Sequence, residues 1–327
     1  MENSKIAWTN HTFNPWWGCV KVSPGCKNCY AEKFATGRLR MPVWGQDAER
    51  KIASESLWRK PLLWNKRAAD KGVRERVFCA SMADVFEDYQ GPDAARVIEA
   101  RARLWDLIEA TPNLDWLLLT KRPENAAEML MAKWGWHLWP EDAESEVVER
   151  GNMQMIKIPQ PVMSGLSLPP NLWFGITVED QEQAEKRLLH LRAIPAVVKF
   201  VSYEPALEYV DFGKWLRSSL RTAVSNDDYA SLSLSSVLVP DTFIDWLIVG
   251  GESGTGARPF NPAWAAQVVE QCKAAQTPVF VKQFGANPTL RSGSGWGPVT
   301  GTGDNPDEWP AQLRLRQFPE SAARVGR

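Results

Sequence analysis

Three of the chain's five cysteines, Cys19, Cys26 and Cys29, fall within eleven residues at the spacing C-x6-C-x2-C. Gly18, Pro24 and Gly25 interrupt the stretch, so it reads as a loop, able to fold back and aim three sulfurs at one point. Thiolates gathered in this way select zinc, iron–sulfur clusters or copper(I). A structural zinc site takes four protein ligands, and a [4Fe-4S] cluster usually takes four thiolates. No fourth cysteine lies nearby, and His11 is the only close histidine. Three thiolates on a four-iron cluster leave one iron open, where a small molecule can bind and react. The competing readings are zinc on the three cysteines plus His11 or a distant residue, a disulfide pair, and three unrelated thiols. The odd count and the lack of a secretory pattern count against the disulfide. A three-cysteine iron–sulfur cluster leads.

The rest of the chain alternates strand and helix signals. Lys5 to Thr9 is a short strand candidate leading into the cysteine loop, and a helix starts at Ala31. The stretch from Thr36 to Lys71 reads as irregular covering structure. Apolar strands follow at Arg76 to Ser81, Asp115 to Thr120, Leu172 to Thr177, Val197 to Ser202, Asp245 to Val249 and Pro278 to Lys282. Between them run helices at Asp93 to Ala110, after Pro123, at Glu179 to His190 and at Pro262 to Ala275. The helical assignment of the first rests on Val97, Ile98, Leu104, Leu107 and Ile108 at helical spacing. Residues 133–170 and the serine-rich 208–243 break the rhythm and read as insertions.

Near-continuous apolar strands alternating with amphipathic helices predict parallel strands covered by helices. Six or seven such units predict an α/β fold, a complete or partial βα barrel over residues 1–285, with 286–327 as a tail packed on it. Asp84, Lys121, Arg122, Glu179, Glu204, Glu252 and Lys282 all stand just after strands. That is the C-terminal rim, where βα barrels place their chemistry, and the cysteine loop lands on the same rim.

Composition bounds the function. The chain has 327 residues, 44 % of them apolar, which supplies a substantial core. A net charge of −1 gives no global field for nucleic acid, though it leaves room for a local basic patch. There is no signal pattern at Met1 to Asn10 and no apolar run long enough to span a bilayer. The expectation is therefore a soluble cytoplasmic protein, with no membrane partner and with thiols kept reduced. The 17 tryptophans are read mostly as packing.

Seven ordered motifs carry a family resemblance. The first is the composite pattern Trp8-Thr9 … Asn14-Pro15-Trp16-Trp17-Gly18-Cys19 … Ser23-Pro24-Gly25-Cys26-Lys27-Asn28-Cys29-Tyr30-Ala31-Glu32. They continue at Ser81-Met82-Ala83-Asp84-Val85-Phe86, Leu119-Thr120-Lys121-Arg122-Pro123 and Gly175-Ile176-Thr177-Val178-Glu179-Asp180-Gln181. The last three are Phe200 to Pro205, Gly250 to Pro259 and Phe280 to Gly285. The set resembles a phage-associated three-cysteine family of long-unknown function, found in phages and bacteria and similar to the radical S-adenosylmethionine (SAM) superfamily. That superfamily's usual spacing is C-x3-C-x2-C, whereas the first gap here is x6. Asn28 stands where an aromatic residue is common, with Tyr30 just after the last cysteine.

The resemblance implies a barrel of the radical SAM type, with Cys19, Cys26 and Cys29 holding a [4Fe-4S] cluster and SAM on the open iron. An external electron donor is then required. The expected activity is hydrogen abstraction by a 5′-deoxyadenosyl radical from an unknown substrate, a small molecule or nucleotide, with nucleic acid modification suggested by the phage setting. Ser81 and Asp84 are expected near the SAM amino group, or else as helix N-caps. Lys121 and Arg122 are expected on the SAM carboxylate or an anionic substrate, Thr177 and Glu179 on ribose hydroxyls or at a cap, and Ser202 and Glu204 in the barrel mouth. Gly250, Gly251 and Glu252 are expected at adenine or ribose, or as a tight turn, with Arg258 and Lys282 as further anion contacts. Glu204 and Lys121 are the expected catalytic groups. Cys79 and Cys272 are expected to be buried packing, His137 and His190 surface or packing residues. The reading from a different class is a non-catalytic zinc or iron–sulfur module that binds nucleic acid or a partner protein.

Overall fold

The computed structural model describes residues 1–138, 146–150, 153–157, 163–216, 244–289 and 300–319. Seven strands form one sheet: β1 (His11–Thr12), β2 (Glu75–Cys79), β3 (Leu114–Thr120), β4 (Leu172–Thr177), β5 (Val198–Tyr203), β6 (Trp246–Gly250) and β7 (Val279–Gln283). They neighbour one another in chain order, and every pairing is parallel. The helices between them are α1 (Lys60–Lys71), α2 (Ala94–Glu109), α3 (Ala126–Trp134), α4 (Gln181–Ala193) and α5 (Pro262–Ala274). Each crossover advances one strand in the same direction. Right-handed crossovers then put all the helices on one face, and strand twist curls the sheet into an open half-barrel.

Side-chain alternation separates the two faces. Val77, Trp116, Leu118, Phe174, Val201, Leu247, Val249 and Val281 join the helices in one core. Their neighbours Phe78, Leu117, Trp173, Phe200, Trp246, Ile248 and Phe280 form a second cluster, with Trp8, on the concave face. Both faces are dry at the level of these residues, which is why the strands read as unbroken apolar runs. Cys79 and Cys272 lie fully buried in the helix-side core, as expected.

Three expectations need correction. The first strand is His11–Thr12, not Lys5 to Thr9; Trp8 instead inserts into the concave interior, its ring centroid 4.7 Å from that of Phe78. The stretch from Thr36 to Lys71 is not irregular throughout, because it ends in α1, the crossover between β1 and β2. That helix opens on Pro61, buries Trp64 and Ala68, and stops at Gly72 in the left-handed region (φ 64°), where glycine is favoured. The second insertion begins later than residue 208: Val210, Phe212, Trp215 and Leu216 are core residues, and 217–243 lie outside the described residues. The first insertion stands apart from the main sheet, with antiparallel pairs Gly135–Leu138 to Met163–Leu166 and Glu146–Arg150 to Met153–Lys157. His137's side chain lies outside what is described, and His190 is exposed on α4.

The tail covers the edge of β7. Val281 N donates to Leu315 O at 2.8 Å and Gln317 N to Val279 O at 3.1 Å, so the strand edge is not left open. No helix among the described residues is long and apolar enough to cross a membrane.

Candidate functional site

On the concave face the side chains change character toward the strand C-termini. With period two, Trp173 is followed by Gly175 and Thr177, Phe200 by Ser202 and Glu204, and Phe280 by Lys282. Gly175 is required there, because a Cβ would stand 2.3 Å from the Phe200 ring. These polar ends surround a cavity of about 310 Å³ whose floor includes Trp8, Phe78 and Leu119.

The cysteine loop forms the opposite wall. Cys19, Cys26 and Cys29 are free, half-buried and all line this cavity. Four strand ends hold the loop. Gly18 N donates to Met82 O (3.0 Å) and Tyr30 OH to Ser81 O (2.8 Å), after β2. Arg122, after β3, donates to Val20 O (2.6 Å) and lies 3.5 Å from Cys19 Sγ. Ser23 Oγ donates to Glu179 Oε1 (2.9 Å), after β4, and Gly25 presses on the same carboxylate, which a Cβ would strike at 2.4 Å. After β6, Glu252 accepts from Asn28 Nδ2 (2.9 Å), and Arg258 donates to Pro24 O (2.9 Å).

The charges here are strongly organised. Arg122 meets Asp84 at 3.0 Å and Glu87 at 3.8 Å, all three side chains under a tenth exposed. Burial alone would lower the guanidinium's pKa, but Asp84, Cys19 and Glu87 hold it above its ordinary value. Asp84 also accepts from Thr120 Oγ1 (2.8 Å) and from the Lys121 and Phe86 amides. Burial pushes the Cys19 thiol up to about 12, against the pull of Arg122. Burial likewise raises Cys29, opposed by backbone hydrogen bonds and Lys121. A metal bound here would therefore have to displace protons from these thiols. Burial would raise the Glu252 carboxyl, but hydrogen bonds from Arg258 and Asn28 outweigh it and hold it below its ordinary range.

The structure brings thirteen of the expected site residues to the one cavity: Cys19, Cys26, Cys29, Ser81, Asp84, Lys121, Arg122, Thr177, Ser202, Glu204, Gly251, Glu252 and Lys282. Three do not line it. Glu179 is fully buried beneath the loop and paired with Arg187 at 2.8 Å. Arg258 is spent on Glu252 and Pro24. Gly250 lies behind Glu204, where a Cβ would come within 3.2 Å of the carboxyl carbon. Sequence reasoning missed Ser23, Asn28, Thr120 and Glu87 as supports; their polar side chains close to the loop or strand ends were the available signal.

The donor set suits a soft metal: three free thiols of one loop, one of them beside a buried cation. Among the described residues no three His, Cys, Asp or Glu side chains converge as a ready metal site, so a metal held by the three cysteines would have to draw their sulfurs together. His11 is not a fourth ligand. Its ring stacks on Trp64 at 4.3 Å and bonds Glu75 at 2.8 Å.

Comparison with curated proteins finds no match, and neither does comparison with solved structures. The family model described as "Protein of unknown function (DUF5131)" matches residues 3–305. That span contains the cysteine loop, all seven strands and every residue lining the cavity, and on it the chain belongs to the DUF5131 family.

Proposed function

We propose that this protein is a radical SAM enzyme and that its half-barrel is of that superfamily's TIM-like type. The observation that carries the reading is the shared cavity: three loop thiols face the polar C-terminal ends of parallel strands across one half-open space. Cys19, Cys26 and Cys29 are the residues that would hold a [4Fe-4S] cluster, leaving one iron for SAM. Held there, such a cluster would supply the one-electron reduction, drawn from a low-potential external donor, that cleaves the C5′–S bond of SAM to methionine and a 5′-deoxyadenosyl radical able to take a hydrogen atom from a substrate C–H bond.

The chain's own residues bind and orient. Lys121 Nζ is 3.7 Å from Glu179 Oε1, too long for a firm hydrogen bond, and it keeps a charge for an anionic group such as the SAM carboxylate. Thr177 and Ser202 are register partners on adjacent strands and offer paired hydroxyls to a ribose. Glu204 receives Lys282 Nζ and Gln283 Nε2 (3.2 Å), which fix its carboxylate toward an amine or hydroxyl. Asp84 is committed to Arg122 and Thr120, so it positions the cation beside Cys19 rather than touching a ligand. The floor of Trp8, Phe78 and Leu119 offers apolar surface on the strand side of a reactive centre.

Anaerobic reconstitution with iron and sulfide tests the metal. The expected result is a brown protein with about four irons and four sulfides per chain, whose reduced-state electron paramagnetic resonance spectrum changes on adding SAM. Stoichiometric zinc with no iron uptake overturns the reading.

A further inference from the structure

A cavity of about 310 Å³ lies at the small end of the roughly 300–1,000 Å³ that hold one drug-sized ligand. It is half open to solvent, so a second reactant can present itself through that mouth. The lip of that mouth has a distinct composition. Residues 21–40 carry five cations, Lys21, Lys27, Lys33, Arg38 and Arg40, against the single carboxylate Glu32. All five cations are exposed, Lys21 pairing with Glu32 at 2.7 Å and the other four having no carboxylate partner within the segment, on a chain whose net charge is −1.

Aromatic rings are interleaved with these charges. Ala31 and Ala35 seat the turn against Val43 and Met82, which turns Tyr30 and Phe34 outward one helical turn apart. Tyr30 is 51 % exposed and Phe34 37 %, unusual for rings with packed neighbours on hand. Tyr30 lines the cavity while its hydroxyl is pinned to Ser81 O, and the Arg38 guanidinium lies 5.7 Å over the Phe34 ring. The stripe therefore runs from the cavity lip outward, ring, ring, cation.

We propose that this lip binds a single-stranded nucleic acid and that the enzyme's substrate is one of its nucleotides, presented to the cavity; the second half of this rests on the radical SAM reading. Cations that track a phosphate backbone beside rings on which bases stack are the working parts of single-strand binding. A site recessed at the strand ends, behind the cysteine loop, also cannot reach an atom inside a stacked duplex, so the target base must be unpaired.

The test is fluorescence anisotropy of the full chain, without cluster or SAM, with a short labelled oligonucleotide of mixed sequence, as single-stranded RNA, single-stranded DNA and duplex. Single strands are expected to bind with strong salt dependence and more tightly than duplex. Phe34→Ala is expected to weaken binding roughly tenfold. Arg38→Glu with Arg40→Glu is expected to weaken it further and to flatten the log–log salt slope by about 1.4 or more, at about 0.7 per lost phosphate contact. Circular dichroism checks that these exposed replacements leave the fold intact. No binding at low salt, undiminished binding by both variants, tighter duplex binding, or preference for a polyglutamate peptide over the oligonucleotides overturns the proposal. Because the assay needs neither metal nor SAM, its failure is distinct from a failure of the radical SAM reading.

Discussion

Arg122 Nη1 lies 3.5 Å from the sulfur of Cys19. The guanidinium comes from the turn after β3, the thiol from the loop after β1, and the two meet at the cavity wall. A fixed buried cation favours the thiolate that a metal requires. Its own charge is balanced behind by Asp84 and Glu87.

Arg122→Met is therefore expected to cost more than a surface charge. It strands Asp84 in a buried site, and breaking such a pair costs roughly 3–5 kcal/mol. Urea denaturation of the reconstituted protein should show that loss together with fewer irons per chain. Adding Asp84→Asn should recover part of the stability but not the iron. Equal loading of wild type and Arg122→Met would separate Arg122 from the metal site.

Gly25 gives a steric test of how the loop is seated. An added methyl meets the fully buried Glu179 carboxyl, itself held by Arg187, so neither side yields cheaply. Gly25→Ala should cost about 1–3 kcal/mol and lower iron content, whereas Gly37→Ala, with nothing within 4 Å, should do neither. Thermal scans and iron assays on the two variants make the comparison.

Glu252 ties the loop to β6 in a pH-dependent way. Its folded carboxyl lies below its ordinary 4.5. A depressed value means that its stabilisation is fully present above pH 4.5 and is lost as pH falls through the folded value. Glu252→Gln should be less stable than wild type at pH 7, and the gap should close as the pH drops below 4.5. A gap that stays constant across that window would remove Glu252 from the anchoring scheme.

Glu204→Gln keeps shape but removes the charge paired with Lys282. Fold and iron content should be retained. A lost charge-assisted hydrogen bond to SAM is worth roughly 1.5–3 kcal/mol, about tenfold to a hundredfold in affinity. Equilibrium dialysis of SAM against the two proteins measures it, and unchanged affinity would take Glu204 off SAM.

Sequence made the sheet legible because β2 to β7 are dry on both faces and so read as unbroken apolar runs ending in polar residues. It also placed Thr177, Ser202, Glu204 and Lys282 at the strand ends, and period two then puts all four on the concave side. It misjudged β1, because a two-residue strand leaves no periodic pattern and the bulky Trp8 beside it plugs the interior instead. It passed over α1, although Pro61 and Gly72 mark its two ends, because the tryptophans around it resembled irregular covering structure. Glu179 and Arg258 stand at the expected rim, but strand-end position does not reveal partners. Both turn out to hold the cysteine loop, through Ser23 and Pro24, contacts that pattern alone cannot show.

The central claim is tested most directly by product. Anaerobically reconstituted wild type, incubated with SAM and dithionite, should release 5′-deoxyadenosine even without substrate, detected by liquid chromatography and mass spectrometry. Replacing Cys19, Cys26 or Cys29 with Ala should abolish both cluster and product, while Cys79→Ala and Cys272→Ala, changed in the helix-side core, should keep both. Wild type loaded with a four-iron cluster that forms no 5′-deoxyadenosine under any reductant, and shows no spectral change with SAM, would contradict the account.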